Sequence, residues 1–569
     1  MVKFDSYFEH IAANEILFFY FLPSLFLVSL FLFSLDILLK KKTLKVIAYI
    51  FISLINGALY GYFRKTNIIF DPLILIDNSS LINNKNSLSL LLLFFDKKMV
   101  IQSIQFPIMI LIVSFFYKDK RRFNSKVIGP VGMLLTLSLS YLHPNINYPI
   151  FNFVLDSVKK EINYQIQEKN FSIIKEFEKS NILEIKNKYN IIVILLESFN
   201  GTYIGEKLKN GKEITPVMNQ LYKNNFSIKN YFSNSVQTIK GQFSILCGLL
   251  PLSKGKASYL LDSSKMSCLP QKLKKFGYKS LFYNSFVDDN FDNTKFFISR
   301  MGFDFFESPI SLGIEKSLIE KETIGWGIND GFSYRIFFDK IKKMINEKNE
   351  NIFAVMTTVT NHMPFILPEK YNFLISTPKN RQEHYLNSIH LSDKYLGDLI
   401  KEFEASNMAN NSILVITSDH SFPNGRKNSL FNEKGATEDN FKVPFLLLAP
   451  AKVRKELEDN KLGQYNSDHS SFINFLNFIL SNNQTSKHAI TNRKQPIVLI
   501  QPYDGGKIKL IKDEEKFVWS VRSKILEKGI LDNDLSDYKK VNIEDFPEIK
   551  SYITNYNIYE SSIRSKYSF

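Results

Sequence analysis

The sequence predicts two unlike parts. An N-terminal α-helical transmembrane bundle of four to five spans precedes an α/β domain with a mostly parallel central sheet and a small antiparallel C-terminal subdomain. Three observations carry this. Apolar runs with at most one charge each crowd into residues 1–143. Beyond residue 190, short apolar runs that end in polar residues alternate with helical stretches. Near the C-terminus, "GGKIKLIKDEEKFVWSV" alternates as paired strands around a turn.

The first part comes from residues 16–34, 44–63, 99–117 and 127–142, which approach the length of about 20 apolar residues that a bilayer core demands. They lack the polar faces that buried soluble helices would carry. No small-residue cleavage site follows the first run, and further runs come after it, so it reads as an anchor. Lys40, Lys41, Lys42 and Lys45 form one basic cluster; Lys118, Lys120, Arg121, Arg122 and Lys126 form another. Keeping both in the cytoplasm gives four spans with the N-terminus outside. If "SLSLLLLFF" also crosses, there are five, and Lys40 to Lys42 face outward. In both arrangements everything after about residue 144 lies outside the membrane. The net charge of +16 suits anionic partners in general. Without zinc-finger spacing, a glycine-rich phosphate loop or a basic helix with interleaved aromatics, nucleic acid is not an expected partner.

Residues 144–189 are charged and helix-permissive and read as a helical linker; residues 190–500 then form the α/β domain. Its strands are expected at "NIIVILLESFN" (190–200), "NIFAVMTTVTNHMPF" (351–365), "NSILVITSDHS" (411–421) and "KVPFLLLAP" (442–450). Continuous apolar runs of this kind mark parallel strands covered on both faces. "HYLNSIHLSDKYLGDLIKEFEAS" (384–406) is an intervening helix. Ligands collect at the carboxyl ends of such strands, and those ends carry Glu197, Asn361-His362 and Asp419-His420. One acidic residue ending a strand is ordinarily a cap or a turn. Three strands delivering Glu, His and Asp-His to one edge imply more. Carboxylates with an imidazole suit one divalent ion, Mn²⁺ first, with Zn²⁺ or Mg²⁺ as alternatives. Glu197, Asp419 and His420 leave room for a hydroxyl ligand, and a bound cation would activate that hydroxyl as a nucleophile. The two cysteines, Cys247 and Cys268, both fall in the exported part, where one disulfide is expected; metal binding by the pair is the weaker alternative.

Four motifs, "ILLESFN", "SVQTIKGQF", "TNHMPF" and "VITSDHS", resemble in order and spacing those of the lipoteichoic acid synthase-like phosphoglycerol transferases. These are membrane-anchored members of the alkaline phosphatase and sulfatase superfamily. The resemblance implies that Glu197, Thr238, Asp419 and His420 hold the metal and that Thr238 is the nucleophile, ahead of Ser235 and Ser244. It assigns His362 to the phosphate or the leaving group, with Asn361 beside it. Lys240 either supplies charge near the phosphate or is a solvated surface lysine. His390, on a helix, is a further substrate-binding candidate with packing as its alternative. Asp468-His469 precedes an apolar helix, and capping that helix is its alternative role. "TPVMNQLYKNN" and "WGINDGF" match supporting motifs, and the cysteine pair resembles that of the Gram-negative branch, where it braces the loop after the nucleophile. That implies a multi-pass inner-membrane protein with its catalytic domain in the periplasm. Two departures stand: teichoic acid polymerases usually have five spans, and the Trp and Arg that follow the "NH" motif in that branch are not evident here. Residues 501–569 resemble the superfamily's small C-terminal subdomain followed by a polar tail.

The expected activity is transfer of a phosphoglycerol headgroup from a membrane phospholipid, phosphatidylglycerol, to an envelope glycan or oligosaccharide. Phosphoethanolamine transfer to lipid A or a glycan is the close alternative. A hydrolase of phosphodiesters or sulfate esters is another, although the C/S-x-P-x-R motif of sulfatases is not found at Cys247. A non-catalytic binding protein on the same fold remains a separate class.

Overall fold

The computed structural model describes Leu44 and residues 183–569, except 254, 349–350, 423–437, 492, 494, 503–505, 522 and 532–537. The expected spans, their basic loops and nearly all of the linker lie outside the described residues. Among the described residues, no helix is long and apolar enough to cross a membrane. Residues 183–189, expected to complete the helical linker, are irregular instead. Lys186 and Asn187 both donate their backbone N–H to the Leu480 carbonyl, at 2.9 and 2.8 Å, and a helix would need those donors internally.

A seven-stranded sheet dominates. Its strands are β1 (Asn190–Leu196), β2 (Phe226–Ser227), β3 (Lys279–Asn284), β4 (Phe305–Glu307), β5 (Ile352–Thr357), β6 (Ser412–Ser418) and β7 (Phe445–Leu448), in the spatial order β2-β7-β6-β1-β5-β3-β4. Every residue of β1, β5 and β6 is buried, as their unbroken apolar runs predict. Truncating one of their aliphatic side chains to alanine costs about 2–5 kcal/mol. β1 pairs in parallel with β6 from Asn190 opposite Ser412 to Leu196 opposite Ser418. It pairs in parallel with β5 up to Leu195 opposite Thr357. The three carboxyl ends therefore finish level with one another.

β7 departs from expectation, because it runs antiparallel to β6, with Phe445 opposite Thr417. A parallel neighbour would have to start beside the amino end of β6. The chain instead enters β7 where β6 stops. Apolar continuity reports burial on both faces and carries no information about direction.

Four helices complete the frame around the strand ends: α1 (Pro216–Asn224), α2 (Thr238–Cys247), α3 (Asp330–Lys348) and α4 (Arg381–Ala405). A second, antiparallel sheet follows in the order β8 (Ile497–Gln501), β9 (Lys507–Lys512), β10 (Glu515–Ser520), β11 (Ile525–Ile530) and β12 (Lys539–Val541). It belongs to the same compact unit as the large sheet. β8 lies along the approach to α2, where Ile500 donates its N–H to the Asn234 carbonyl at 2.8 Å. The polar tail contains a helix, α5 (Pro547–Tyr567), which buries Tyr556, Tyr559 and Tyr567 together with Ile549, Ile553 and Ile563. Tyr556 and Tyr559 donate to the Pro251 and Leu250 carbonyls at 2.8 and 2.9 Å, so the rings pack while their hydroxyls stay satisfied.

The expected disulfide is present, joining Cys247 at the end of α2 to Cys268. It closes a loop with a separation of 21 residues. Loop-closure entropy in the unfolded chain makes this worth about 3 kcal/mol. The Cys247→Ala/Cys268→Ala double variant should accordingly show a lowered denaturant midpoint with an unchanged secondary-structure spectrum. An unaltered midpoint counts against any stabilising role for the bond.

Candidate active site and metal centre

β1 ends and Glu197 follows; β6 ends and Asp419 and His420 follow. The level strand ends bring the three together, with ligand atoms within 4.8 Å of one another, all three residues buried. His420 Nε2 is 3.6 Å from Glu197 Oε1 and 3.7 Å from Asp419 Oδ2. Thr238 is the first residue of α2, where the positive end of the helix dipole lies. Its Oγ1 is 3.5 Å from Glu197 Oε2 and 3.4 Å from His420 Nε2. All four expected ligands thus converge on one point.

The glycine of "T-x-x-G" has a packing reason. A Cβ on Gly241 would sit 1.7 Å from the Asp419 carbonyl oxygen, so only glycine lets the first turn of α2 press against the strand end. Neither Ser235 nor Ser244 is among the converging residues. Ser235 Oγ donates to the Ile500 carbonyl at 3.0 Å, and Ser244 is buried within α2.

The donor set fits a divalent cation. Asp419 Oδ1 accepts the N–H groups of Ser198 and His420 at 3.0 and 2.7 Å, whereas its Oδ2 is buried without a hydrogen bond. Glu197 lies beside it. Burial first, and then the Asp419 carboxylate, push the Glu197 carboxyl well above the usual range. Two buried carboxylates in such proximity call for positive charge. The Nδ1 of His420 faces the Ser421 carbonyl at 2.9 Å, which fixes the proton there and turns the Nε2 lone pair toward the carboxylates.

His362 sits apart, on the loop after β5. Its ring lies among Trp326, Phe286 and Phe291, with centroids 5.0, 5.5 and 6.1 Å away. Burial lowers its pKa to about 4, and Nδ1 lies 2.7 Å from the Met363 carbonyl. A carbonyl only accepts, so His362 is neutral with its Nε2 lone pair available.

The remaining candidates are placed differently from one another. Asn361 is fully buried, and its Nδ2 donates to the Glu197 and Ser198 carbonyls at 3.1 Å each, while its Oδ1 accepts from Ser388. It holds the strand end in place. Lys240 is 1 % exposed, which rules out the solvated surface lysine, and its Nζ donates to the Leu252 carbonyl at 2.8 Å. His390 lies on α4 with Nδ1 2.9 Å from the Ile214 carbonyl, a packing contact. Asp468 caps the helix that follows it, accepting the Ser471 N–H at 3.1 Å, and His469 packs against Tyr231.

Several supporting residues had no individual signal in the sequence. Ser198 takes a left-handed φ of 51°, which turns the chain sharply after Glu197. Tyr385 on α4 donates to the Ser198 carbonyl at 2.7 Å and accepts the Asn200 N–H at 3.1 Å. Asp330, inside "WGINDGF", accepts the N–H groups of Val359 and Thr360 at 2.9 Å each and so fixes the loop that carries His362.

Similarity to known proteins follows the same geometry. The lipoteichoic acid synthase-like protein YvgJ of Bacillus subtilis is 25 % identical over 237 residues, 41 % of this chain and 36 % of that protein. The lipoteichoic acid synthase of Staphylococcus aureus is 28 % identical over 245 residues, 42 % of this chain and 36 % of that protein. The chain thus matches little more than a third of the length of these two relatives. The crystal structure of the lipoteichoic acid synthase LtaP of Listeria monocytogenes shares the fold, with a TM-score of 0.52 at 18 % identity over 69 % of this chain and 97 % of that one. The family model described as Sulfatase matches residues 189–482, which is the large sheet from β1 through the helix beyond Asp468 and contains all four converging residues. With more than half of its length accounted for in this way, the chain belongs to the sulfatase family.

Proposed function

We propose that this chain is a metal-dependent phosphotransferase that moves phosphoglycerol from phosphatidylglycerol to a hydroxyl of a cell-envelope glycan, through a covalent intermediate on Thr238. The observation that carries the reading is the Thr238 hydroxyl at the amino end of α2, 3.4–3.5 Å from His420 and Glu197. The lipoteichoic acid synthases among its relatives support the choice of headgroup. The apolar runs of residues 1–143 support an inner-membrane anchor, with the domain on the periplasmic side beside its lipid donor.

Glu197, Thr238, Asp419 and His420 would hold the ion. A divalent cation there lowers the pKa of a hydroxyl and offsets charge on a phosphoryl group. In the first step the Thr238 Oγ–P bond forms and the P–O bond to diacylglycerol breaks. The threonine proton passes to water, and the diacylglycerol oxygen takes one up. In the second step the glycan oxygen displaces Thr238 from phosphorus, and His362 Nε2 accepts the glycan hydroxyl's proton. Thr238 regains a proton from water. Asn361, Tyr385 and Asp330 keep these groups in register.

The test is incubation with vesicles of phosphatidylglycerol carrying an isotope-labelled headgroup, followed by mass analysis. Diacylglycerol release together with labelled headgroup phosphate on a glycan acceptor supports the reading. Transfer from phosphatidylethanolamine alone moves it to the ethanolamine headgroup. Hydrolysis with no acceptor product makes the protein a phosphodiesterase.

His362 supplies a separate expectation. His362→Ala should slow transfer about 10²–10⁴-fold while bound metal stays at the wild-type amount. Burial favours the neutral ring, so competent His362 is lost only as the pH falls through about 4. The kcat/KM profile should then show no inflection near the ordinary imidazole value of about 6.5. Loss of metal in the variant would instead make His362 a ligand.

A further inference from the structure

A buried ion cluster lies outside the site. Glu438, 6 % exposed at its side chain, sits between Lys509 of β9 and Lys516 of β10, both 0 % exposed, at 2.5 and 2.6 Å. The two lysines share one face of the antiparallel sheet, because Lys516 pairs with Ile511, two residues along from Lys509. The Tyr538 ring covers the ammonium groups, its centroid 4.7 Å from the Lys516 Nζ and 5.8 Å from that of Lys509. Burying three charges is a poor way to gain stability, since apolar residues of similar volume often do as well. Such a cluster needs another reason.

The next residue supplies one. The Asp439 carbonyl accepts Asn200 Nδ2 at 2.9 Å and Ser421 Oγ at 3.2 Å. Asn200 lies on the turn that follows Glu197, and Ser421 follows His420. The Ser421 carbonyl is also the partner of His420 Nδ1, at 2.9 Å. One backbone carbonyl therefore ties together the two loops that carry the carboxylate and imidazole ligands. The carboxylate of the neighbouring residue, Glu438, is gripped from two sides by the C-terminal sheet.

We propose that Glu438, held by Lys509 and Lys516, is a positioning residue for the metal centre, acting through the Asp439 carbonyl on Asn200 and on the Ser421–His420 pair. Lys509 and Lys516 then act on the metal centre from outside it, through Glu438 alone. The inference rests on the metal site proposed for Glu197, Thr238, Asp419 and His420.

The measurement is Mn²⁺ affinity of the full chain in detergent, by calorimetry, with the electron paramagnetic resonance spectrum of the bound ion recorded alongside. Two variants separate positioning from stability. Glu438→Met/Lys509→Met/Lys516→Met replaces the cluster with apolar groups that keep the fold, and Glu438→Gln removes only the charge. Phe517→Ala, buried in the same sheet, serves as a destabilised control. Both cluster variants should bind Mn²⁺ about 10–100-fold more weakly, as loss of an outer partner does, with an altered spectrum. Phe517→Ala should unfold at lower temperature yet bind as the wild type does. Wild-type affinity in whichever cluster variant folds overturns the proposal, and so does an equal loss in Phe517→Ala. A wild-type chain that takes up no Mn²⁺ removes the metal site itself, and this inference with it.

Discussion

Thr238→Ala should fold normally, keep its disulfide and transfer nothing. The side chain is only part-buried, at the first turn of α2. Its hydroxyl makes only long contacts of 3.4–3.5 Å, so its removal costs little stability. On the proposed mechanism the catalytic loss is of another order, because the atom that would bond to phosphorus is gone. Removing a nucleophile in this way costs roughly 10⁴–10⁶-fold in kcat. Thr238→Ser separates chemistry from shape, because it retains an Oγ at the same place and should keep measurable transfer. Wild-type protein given donor lipid without acceptor should carry headgroup phosphate on the Thr238 peptide, and Thr238→Ala should carry none. Full activity in Thr238→Ala, or an adduct mapped to Ser235 or Ser244, would remove Thr238 from the mechanism.

That Glu197, Asp419 and His420 would lie together was legible in the sequence because strand ends are decided locally, whereas Thr238, which opens a helix, was placed with them only by the motif resemblance. An apolar run that stops at a polar residue marks a strand end, and three parallel ends must share an edge. The tetrapeptide Ser-Asp-His-Ser shows the limit, since it occurs at residues 418–421 and again at 467–470. At the first copy a long parallel strand precedes it, and Asp419 Oδ2 is left facing the cluster. At the second, the apolar helix that follows makes Asp468 a cap, and Arg493 reaches its Oδ2 at 2.8 Å. The residues are identical and the flanking elements decide. The surroundings of Lys240 and Asn361 were not legible for a related reason. Burial of a lysine or an asparagine depends on carbonyls from distant segments, here Leu252 for one and Glu197 and Ser198 for the other. The direction of β7 and the helix α5 escaped likewise, the first because burial does not encode direction, the second because tyrosine reads as polar until its hydroxyl finds a carbonyl.

Glu197→Gln tests the metal centre from the opposite side, through stability. Burial and the nearby Asp419 carboxylate raise the Glu197 pKa, so the ionised side chain is a burden on the metal-free fold. The sign follows: above the ordinary carboxylate pKa the unfolded chain releases its proton while the folded one still holds it, so the metal-free fold loses stability from there up to the raised pKa. Glutamine removes that charge and brings an N–H₂ donor beside Asp419 Oδ2, which has no hydrogen bond. The metal-free variant should therefore unfold at or above the wild-type temperature at pH 7. Mn²⁺ should raise the wild-type midpoint, since a ligand that binds only the folded state stabilises it by mass action. The variant should gain nothing from the ion and should be inactive. The two midpoints thus cross, with the variant higher without metal and the wild type higher with it. Thermal unfolding of both proteins, with chelator and with saturating Mn²⁺, reads this directly. A variant destabilised without metal, yet still stabilised by Mn²⁺, would mean that Glu197 serves the fold and the ion binds elsewhere.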